Sequence, residues 1–317
     1  MKNRKIYSLV VFFSLCFVGV GVNAQSNLLN AKTVDSIGVK TKAQIKSDND
    51  EPLEYGYIDD RDILWSKTTW EYIDLNQRIN FPLLFPLRET PTRRPLFNVI
   101  KDAIEKDSVN IYRDSYFMNK LTTVEIQDNF KMKRITDIGQ QRINEGVHED
   151  SLQLGMGEIV ESELKPEDVK GYRIKGYWYF DKRQGELRYR LIGIAPMALS
   201  ASLKAELQVA SLSGTQMTDE QRQALAKPVE LFWVFYPELR PALHKAKVFN
   251  AKNTSQPITF DHLLNSRRFD AMIYKEDNVY GDREIDQYMV ENSLMQLLES
   301  NRIKDVIRNF ESDMWNY

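Results

Sequence analysis

The sequence predicts an α+β protein in which an antiparallel-rich sheet packs against N-terminal and C-terminal helices. Three patterns support this: a hairpin at 172–196, an apolar strand at 229–236, and helical periods toward both ends. At 317 residues, the chain is long enough to form one large core or two ordinary ones.

The hairpin is the clearest element. Side chains alternate between two faces from Tyr172 to Phe180, a period of two that is typical of a strand. A polar turn follows, in which Gly185 is free to take a positive φ, and the return strand ends at Pro196. The run 229–236, VELFWVFY, is almost continuously apolar, as in a central strand covered on both faces.

Helices are predicted on either side of these strands. Apolar spacing from Leu64 to Ile73, after the acidic residues 59–62, favours a first helix, and Pro95 opens a second one. Helical spacing also covers 285–315, with a break near Ser300. The polar stretches 136–157 and 200–227 are interpreted as a loop and as variable surface structure.

The organisation of the chain follows from its composition. Residues 1–24 have the basic start, apolar run and small-residue end of a cleaved signal peptide, with a membrane anchor or a lipoprotein site at Cys16 as weaker alternatives. Residues 25–57 are polar and are predicted to be a flexible tether. Residues 58–317 form the globular region, with a division into two lobes near 136–157 left open.

Charge and cysteine content limit the function classes. Cleavage after residue 24 would remove three basic residues, taking the net charge from −2 to −5, and also the sole cysteine. A mildly acidic protein is a poor candidate for binding nucleic acid. A mature chain without thiols has no disulfide or Cys-ligated metal and suits a bacterial periplasm.

No catalytic, cofactor or metal motif emerges. The histidines at 148, 244 and 262 lack a second ligand at helical spacing, so we predict no metal site and no cofactor. Two acidic groups, 59–62 and 276–282, are the one arrangement that leaves paired-carboxylate catalysis open. Aromatic residues are the remaining surplus, and the candidates for partner binding are Trp65, Trp70, Tyr236, Trp315 and Tyr317.

Several blocks resemble the GldN/PorN family. They include DDRDILWSKTTWEYIDLNQRINFPLLFP from Asp59, WYFDKRQGELRYRLIGIAP from Trp178, LFWVFYPELR from Leu231 and FDHLLNSRRFDAMIYKEDNVYGDREI from Phe260. The resemblance runs in order from about Ile58 to the end and departs at 136–157 and 200–227.

This resemblance implies a non-enzymatic, periplasmic component of the type IX secretion system and gliding motility machinery. It further implies a ring beneath the outer membrane with a GldK/PorK-like lipoprotein, contact with the periplasmic region of a GldM/PorM-like protein, and no cofactor. The alternative is a periplasmic carbohydrate-active enzyme or glycan-binding module, which would need two carboxylates on opposite walls of a cleft, about 5–10 Å apart.

Overall fold

A computed structural model describes residues 51–90, 93–146, 148, 151, 158–199, 201–212, 227–250, 252–253, 258–290 and 292–315. The predicted signal peptide, most of the predicted tether and Tyr317 lie outside these residues. The fold is α+β, as the sequence predicts, and every strand pairing of its main sheet is antiparallel.

The elements are numbered along the chain. The strands are β1 (Ile63–Asp74), β2 (Ile111–Tyr112), β3 (Lys120–Leu121), β4 (Lys131–Ile135), β5 (Ile159–Glu163), β6 (Val169–Asp181), β7 (Glu186–Ala198), β8 (Val229–Glu230), β9 (Trp233–Phe235), β10 (Lys247–Val248), β11 (Ile258–Thr259) and β12 (Met272–Glu276). The helices are α1 (Phe81–Leu84), α2 (Leu96–Glu105), α3 (Thr123–Phe130), α4 (Asp137–Asn144), α5 (Ala201–Leu212), α6 (Tyr236–Lys245), α7 (Phe260–Asn265), α8 (Ile285–Tyr288) and α9 (Ser293–Trp315).

The β6–β7 hairpin is the centre of an eight-stranded sheet with the order β12-β1-β6-β7-β9-β2-β3, in which β8 also pairs with β7. Its turn is closed by Gly185, whose amide donates to the Asp181 carbonyl at 2.7 Å and whose φ is +67°. A side chain would be strained at this φ, so the glycine is required here. The hairpin prediction is confirmed.

The main core lies between the sheet and helices α2, α6 and α7. Tyr172, Ile174, Leu191 and Ile194 from the hairpin meet the apolar stripe of α2 in this core. A second, smaller core joins α9 to β12 and to the far end of the hairpin; it comprises Ile273, Ile285, Ile303 and Ile307, with Trp65, Trp178 and Leu187 at its margin.

The prediction of a helix at 64–73 is wrong, because this segment is strand β1, paired with β6 along its whole length and with β12 on its other side. Its aromatic and β-branched residues fit a strand. The acidic residues before it end in a single 3₁₀ turn, Asp60–Asp62, rather than at a helix start.

The strand expected at 229–236 is interrupted. It forms the short strands β8 and β9, and Tyr236 is already the first residue of α6. Pro237 lies in the first turn of α6, where a missing amide costs nothing.

Three further expectations are corrected by helices. Residues 136–157 contain α4, capped by the Thr136 hydroxyl, which accepts a hydrogen bond from the Gly139 amide. Residues 200–227 contain α5, in which Ala201 and Ala205 are fully buried rather than on the surface. Helix α9 runs without the expected break, since Ser300 is buried in it and its hydroxyl accepts from the Ile273 amide at 3.0 Å.

Gly176 tests the packing of the hairpin. A Cβ at this position would overlap the ring of Tyr189. That ring is held 4.8 Å from Trp178 and 4.1 Å from the Arg267 guanidinium, so it has little freedom to move away. We expect Gly176→Ala to lower the free energy of unfolding by about 1–3 kcal/mol, measured by urea denaturation.

Gly56→Ala is the control for this experiment, because an added methyl there meets no atom within 4 Å. Equal stability of the two variants would show that Tyr189 is not fixed against β6.

Candidate interaction surface

Helix α9 carries apolar residues on two faces. Ile303 and Ile307, with Ser300, are buried against β12 and α8. Leu294, Leu297 and Leu298, here called the leucine patch, are 62%, 44% and 53% exposed. Since each residue turns the helix by about 100°, the patch points away from the buried stripe. Among the described residues, none buries the leucine patch as fully as Ile303 and Ile307 are buried.

A set of ion pairs fixes the α9 turn that follows the patch. Arg302 donates from Nε and Nη2 to the Glu299 carboxylate, at 2.8 Å each. Tyr288 of α8 donates its hydroxyl hydrogen to the same carboxylate at 3.4 Å. Two cations reach Glu276 of β12: Arg302 at 3.7 Å and Lys67 of β1 at 2.8 Å. The orientation of the leucine patch is therefore set by contacts of α9 to two other elements, α8 and β12.

The pKa values of Glu299 and Tyr288 are shifted in opposite directions. The hydrogen bond from Arg302 lowers the pKa of Glu299, despite partial burial of the carboxylate. Burial, together with the Glu299 charge, raises the pKa of Tyr288 to about 12. Over the neutral range, Glu299 is therefore ionised, and Tyr288 keeps the hydroxyl hydrogen that it donates to Glu299.

The far end of α9 is held by aromatic stacking. Phe310 lies 4.7 Å from Trp65, nearly parallel to it, and 5.7 Å from Phe180 at an edge. Trp65 is thus partly covered by the molecule's own helix. Trp315, in the last described turn, is 69% exposed, whereas Tyr317 lies outside the described residues.

The two other predicted partner-binding residues are buried. Trp70 is 2% exposed and lies against Lys175 and Lys275, whose Nζ atoms are 4.9 and 4.5 Å from its ring. Tyr236 is fully buried and donates its hydroxyl hydrogen to the Asp261 carboxylate at 3.0 Å. Neither side chain offers area to a partner in this structure.

The acidic groups left open by the sequence are engaged in structural contacts. Asp59 and Asp62 pair with Arg61 and Arg183 at 3.0 and 2.9 Å. Asp282 accepts the hydroxyl hydrogen of Tyr116 at 2.8 Å, and Glu276 forms the pairs described above. Among the described ranges, no three His, Cys, Asp or Glu side chains are grouped to hold a metal.

The helical spacing predicted over 285–315 does not by itself separate the two faces of α9. A signal was present, since 294, 297 and 298 are out of phase with 303 and 307 on a helix of 3.6 residues per turn. In the part of the chain with described structure, no helix combines the length and apolarity needed to cross a bilayer.

The two faces of α9 should respond differently to truncation. We expect Ile303→Ala to lower the free energy of unfolding by about 2–4 kcal/mol, because it leaves a cavity in the second core. Leu298→Ala should change it by no more than about 0.5 kcal/mol, because its side chain is already largely in water. Chemical denaturation of both variants measures this, and a large loss for Leu298→Ala would contradict the exposed assignment.

Acid should weaken the attachment of α9. Because the pKa of Glu299 is lower in the folded than in the unfolded chain, its stabilising contribution is present above the ordinary value of 4.5 and is lost as the pH falls through the folded value. We expect Glu299→Gln, which cannot lose this contribution, to show a smaller fall in unfolding free energy than the wild type between pH 5 and pH 3. Parallel pH profiles of the two proteins would contradict the assignment.

Comparison with known families identifies the family of this chain. The family model described as gliding motility associated protein GldN matches residues 58–316. No curated protein matches the chain closely enough to count as a relative. Members of this family are components of the cell envelope and of the gliding and type IX secretion machinery. The family is not a known enzyme family. The match spans most of the sequence, and the chain belongs to the GldN family.

Proposed function

We propose that this protein is a non-enzymatic assembly component of the type IX secretion and gliding machinery. In this proposal the predicted signal peptide delivers it to the periplasm. There it binds a GldK/PorK-like outer-membrane lipoprotein, contacts the periplasmic region of a GldM/PorM-like protein, and associates with its own copies in a ring. The observation that carries the proposal is the family match over 58–316.

The leucine patch supplies a surface suited to such a role. Three exposed leucines lie on one face of a helix that contacts Tyr288 and Glu276 through Glu299 and Arg302, and they resemble the apolar centre of a protein interface. Burying one such side chain contributes about 1.5–3 kcal/mol. A few of them are enough to dominate the affinity of an interface of ordinary size.

We assign the lipoprotein, rather than a second copy, to this patch. One helix face that meets the same face of another copy gives a closed two-fold dimer. A ring needs head-to-tail contacts between two different surfaces of each copy. A contact of the patch with itself would therefore end growth, whereas a contact with a different protein leaves the ring surfaces free.

Co-elution tests this assignment. We expect the chain from residue 25 onward to co-elute with the soluble part of the lipoprotein at micromolar concentration. Leu294→Glu combined with Leu298→Glu should weaken binding by about 100-fold or more, because two apolar contacts are replaced by desolvated charges. Size-exclusion chromatography and titration calorimetry provide the measurements.

A control is Val279→Glu, which puts one glutamate on a valine that is 94% exposed and lies in the loop before α8, outside α9. It should leave the affinity unchanged. An unaltered affinity in the double leucine variant would exclude the patch as the lipoprotein site, and binding of the GldM-like region or of a second copy there would reassign it. If the wild type itself fails to bind the lipoprotein, the assembly proposal loses its main support.

A further inference from the structure

The first described residues lie against the body of the protein. Residues 53–57, here called the arm, are held by arginines from three places in the fold. Arg240 of α6 donates to the Leu53 carbonyl at 2.6 Å, Arg190 of β7 to the Gly56 carbonyl at 3.1 Å, and Arg183 of the hairpin turn to the Tyr57 carbonyl at 3.4 Å. Each of these bonds uses a body side chain and an arm carbonyl.

Tyr55 is the anchor of the arm. Its ring lies between two guanidinium groups, 4.1 Å from that of Arg240 and 4.6 Å from that of Arg190. Its hydroxyl donates to the Asn265 side-chain carbonyl of α7 at 2.9 Å. Burial is the main reason that the pKa of Tyr55 is raised. By contrast, the neighbouring Leu53 and Tyr57 are 87% and 84% exposed. Of these three side chains, Tyr55 therefore makes the main contact with the body.

Arginines line the groove, and three of the four are already paired with carboxylates of the body. The groove, as we define it, is formed by Arg183, Arg188, Arg190 and Arg240 together with Asn265. The arm and its flanks carry Glu51, Glu54, Asp59 and Asp60. Arg240 is itself fixed by a bidentate pair with Asp261, at 3.0 and 3.1 Å, so the groove is preformed on the body. A cleft of about 450 Å³ adjoins the arm here, lined by both arm and groove residues.

Part of the outer edge of strand β7 has no neighbouring strand among the described residues. On the side away from β6, β7 pairs with β9 only at 193–194 and with β8 only at 197–198, so among the described residues no strand pairs with 186–192 there. The Arg190 side chain, from this unpaired stretch of β7, donates to the arm. The described part of the arm does not pair with β7 as a further strand. Its docking therefore rests on a handful of polar contacts and one aromatic ring, which makes it separable from the body.

We propose that the groove of one copy binds the arm of a neighbouring copy, so that successive copies are joined head to tail. The inference rests on the proposed function, because it supplies the self-association that a ring requires. Every copy has the same arm and the same groove, so each bond made within a chain is available between two chains. Arm and groove are different surfaces, as a contact that closes into a ring demands.

The connection to the body allows such an exchange. The body begins at Asp62, whose carbonyl accepts from the Lys182 amide at 2.9 Å and whose carboxylate pairs with Arg183 at 2.9 Å. Residues 58–61 lie between this anchored point and the arm. Extended at about 3.3 Å per residue, the stretch from Asp62 to Leu53 reaches about 30 Å from the body. Neighbours in an assembly also face one another at high effective concentration, so contacts between chains can compete with contacts within a chain.

Single-cysteine chains test the exchange. Glu54 of the arm and Arg188 of the groove line the same cleft. One chain carries Glu54→Cys and the other Arg188→Cys, both from residue 25 onward and so without the native cysteine, and they are mixed with the lipoprotein and a short bis-maleimide. We expect a covalent dimer, because neither chain has a second cysteine with which to close on itself. Adding Tyr55→Ala to the first chain should lower the dimer yield at least tenfold.

Two controls make the outcome decisive. Met118→Cys, at a side chain that is 83% exposed, replaces Glu54→Cys to measure crosslinking by chance collision. A chain with both Glu54→Cys and Arg188→Cys reports the contact within one molecule. If only this double variant reacts, as a crosslinked monomer, exchange is refuted and the arm belongs to its own groove. A dimer that forms equally well with Tyr55→Ala or with Met118→Cys also refutes it.

Lipoprotein co-elution of the same samples separates the two proposals. Retained lipoprotein binding without a crosslinked dimer defeats arm exchange and leaves the proposed function standing. Loss of lipoprotein binding by the wild type defeats the proposed function, whatever the crosslinking shows. Ile138→Ala, which alters a 53% exposed side chain of α4 outside the arm and the groove, should leave the dimer yield unchanged.

Discussion

A buried ion pair ties the sheet to its helical cover. Glu71 in the middle of β1 is 1% exposed and accepts two hydrogen bonds from Arg267, at 3.1 and 2.7 Å. The guanidinium lies 4.1 Å from the ring of Tyr189, and Glu71 raises its pKa against the opposing effect of burial. Because removing one partner would leave a buried charge, such a pair typically costs about 3–5 kcal/mol to break. It fixes β1 relative to the connection between α7 and β12.

The other face of β1 is fixed by cations and aromatic rings. Lys175 and Lys275 both lie over Trp70, and the Lys275 ammonium donates to the Tyr116 hydroxyl at 3.0 Å. Burial, followed by the charge of Lys275, lowers the pKa of Lys175. With β1 covered on both faces, β12 has a rigid neighbour, and α9 can rest on β12 with its leucines outward. The candidate surface thus depends on contacts in the centre of the sheet.

The sequence predicts the secondary structure correctly where one hydrophobic period dominates. It fails where residues on both faces of a strand are buried. The hairpin alternates cleanly and was predicted with its turn, whereas Thr69, Trp70 and Glu71 are all buried and hide the period of two in β1. The apolar spacing from Leu64 to Ile73 also fits a helical stripe, which explains the wrong helix there. Glu71 and Arg267 are 196 positions apart, and nothing local to either residue indicates the pair.

The leucine patch illustrates a second limit. Periodicity shows that a residue lies on a helix face, but only the packing of α9 on β12 decides that Ile303 faces inward and Leu298 outward. The arm differs again, because the family match begins at 58, just after it, while Arg190 and Arg240 fall inside the matched region. The groove is therefore built from the part of the chain that defines the family, and the segment it holds precedes that part. A receptor site in the body and a ligand on an adjoining extension form the pair of unlike surfaces from which head-to-tail assemblies are made.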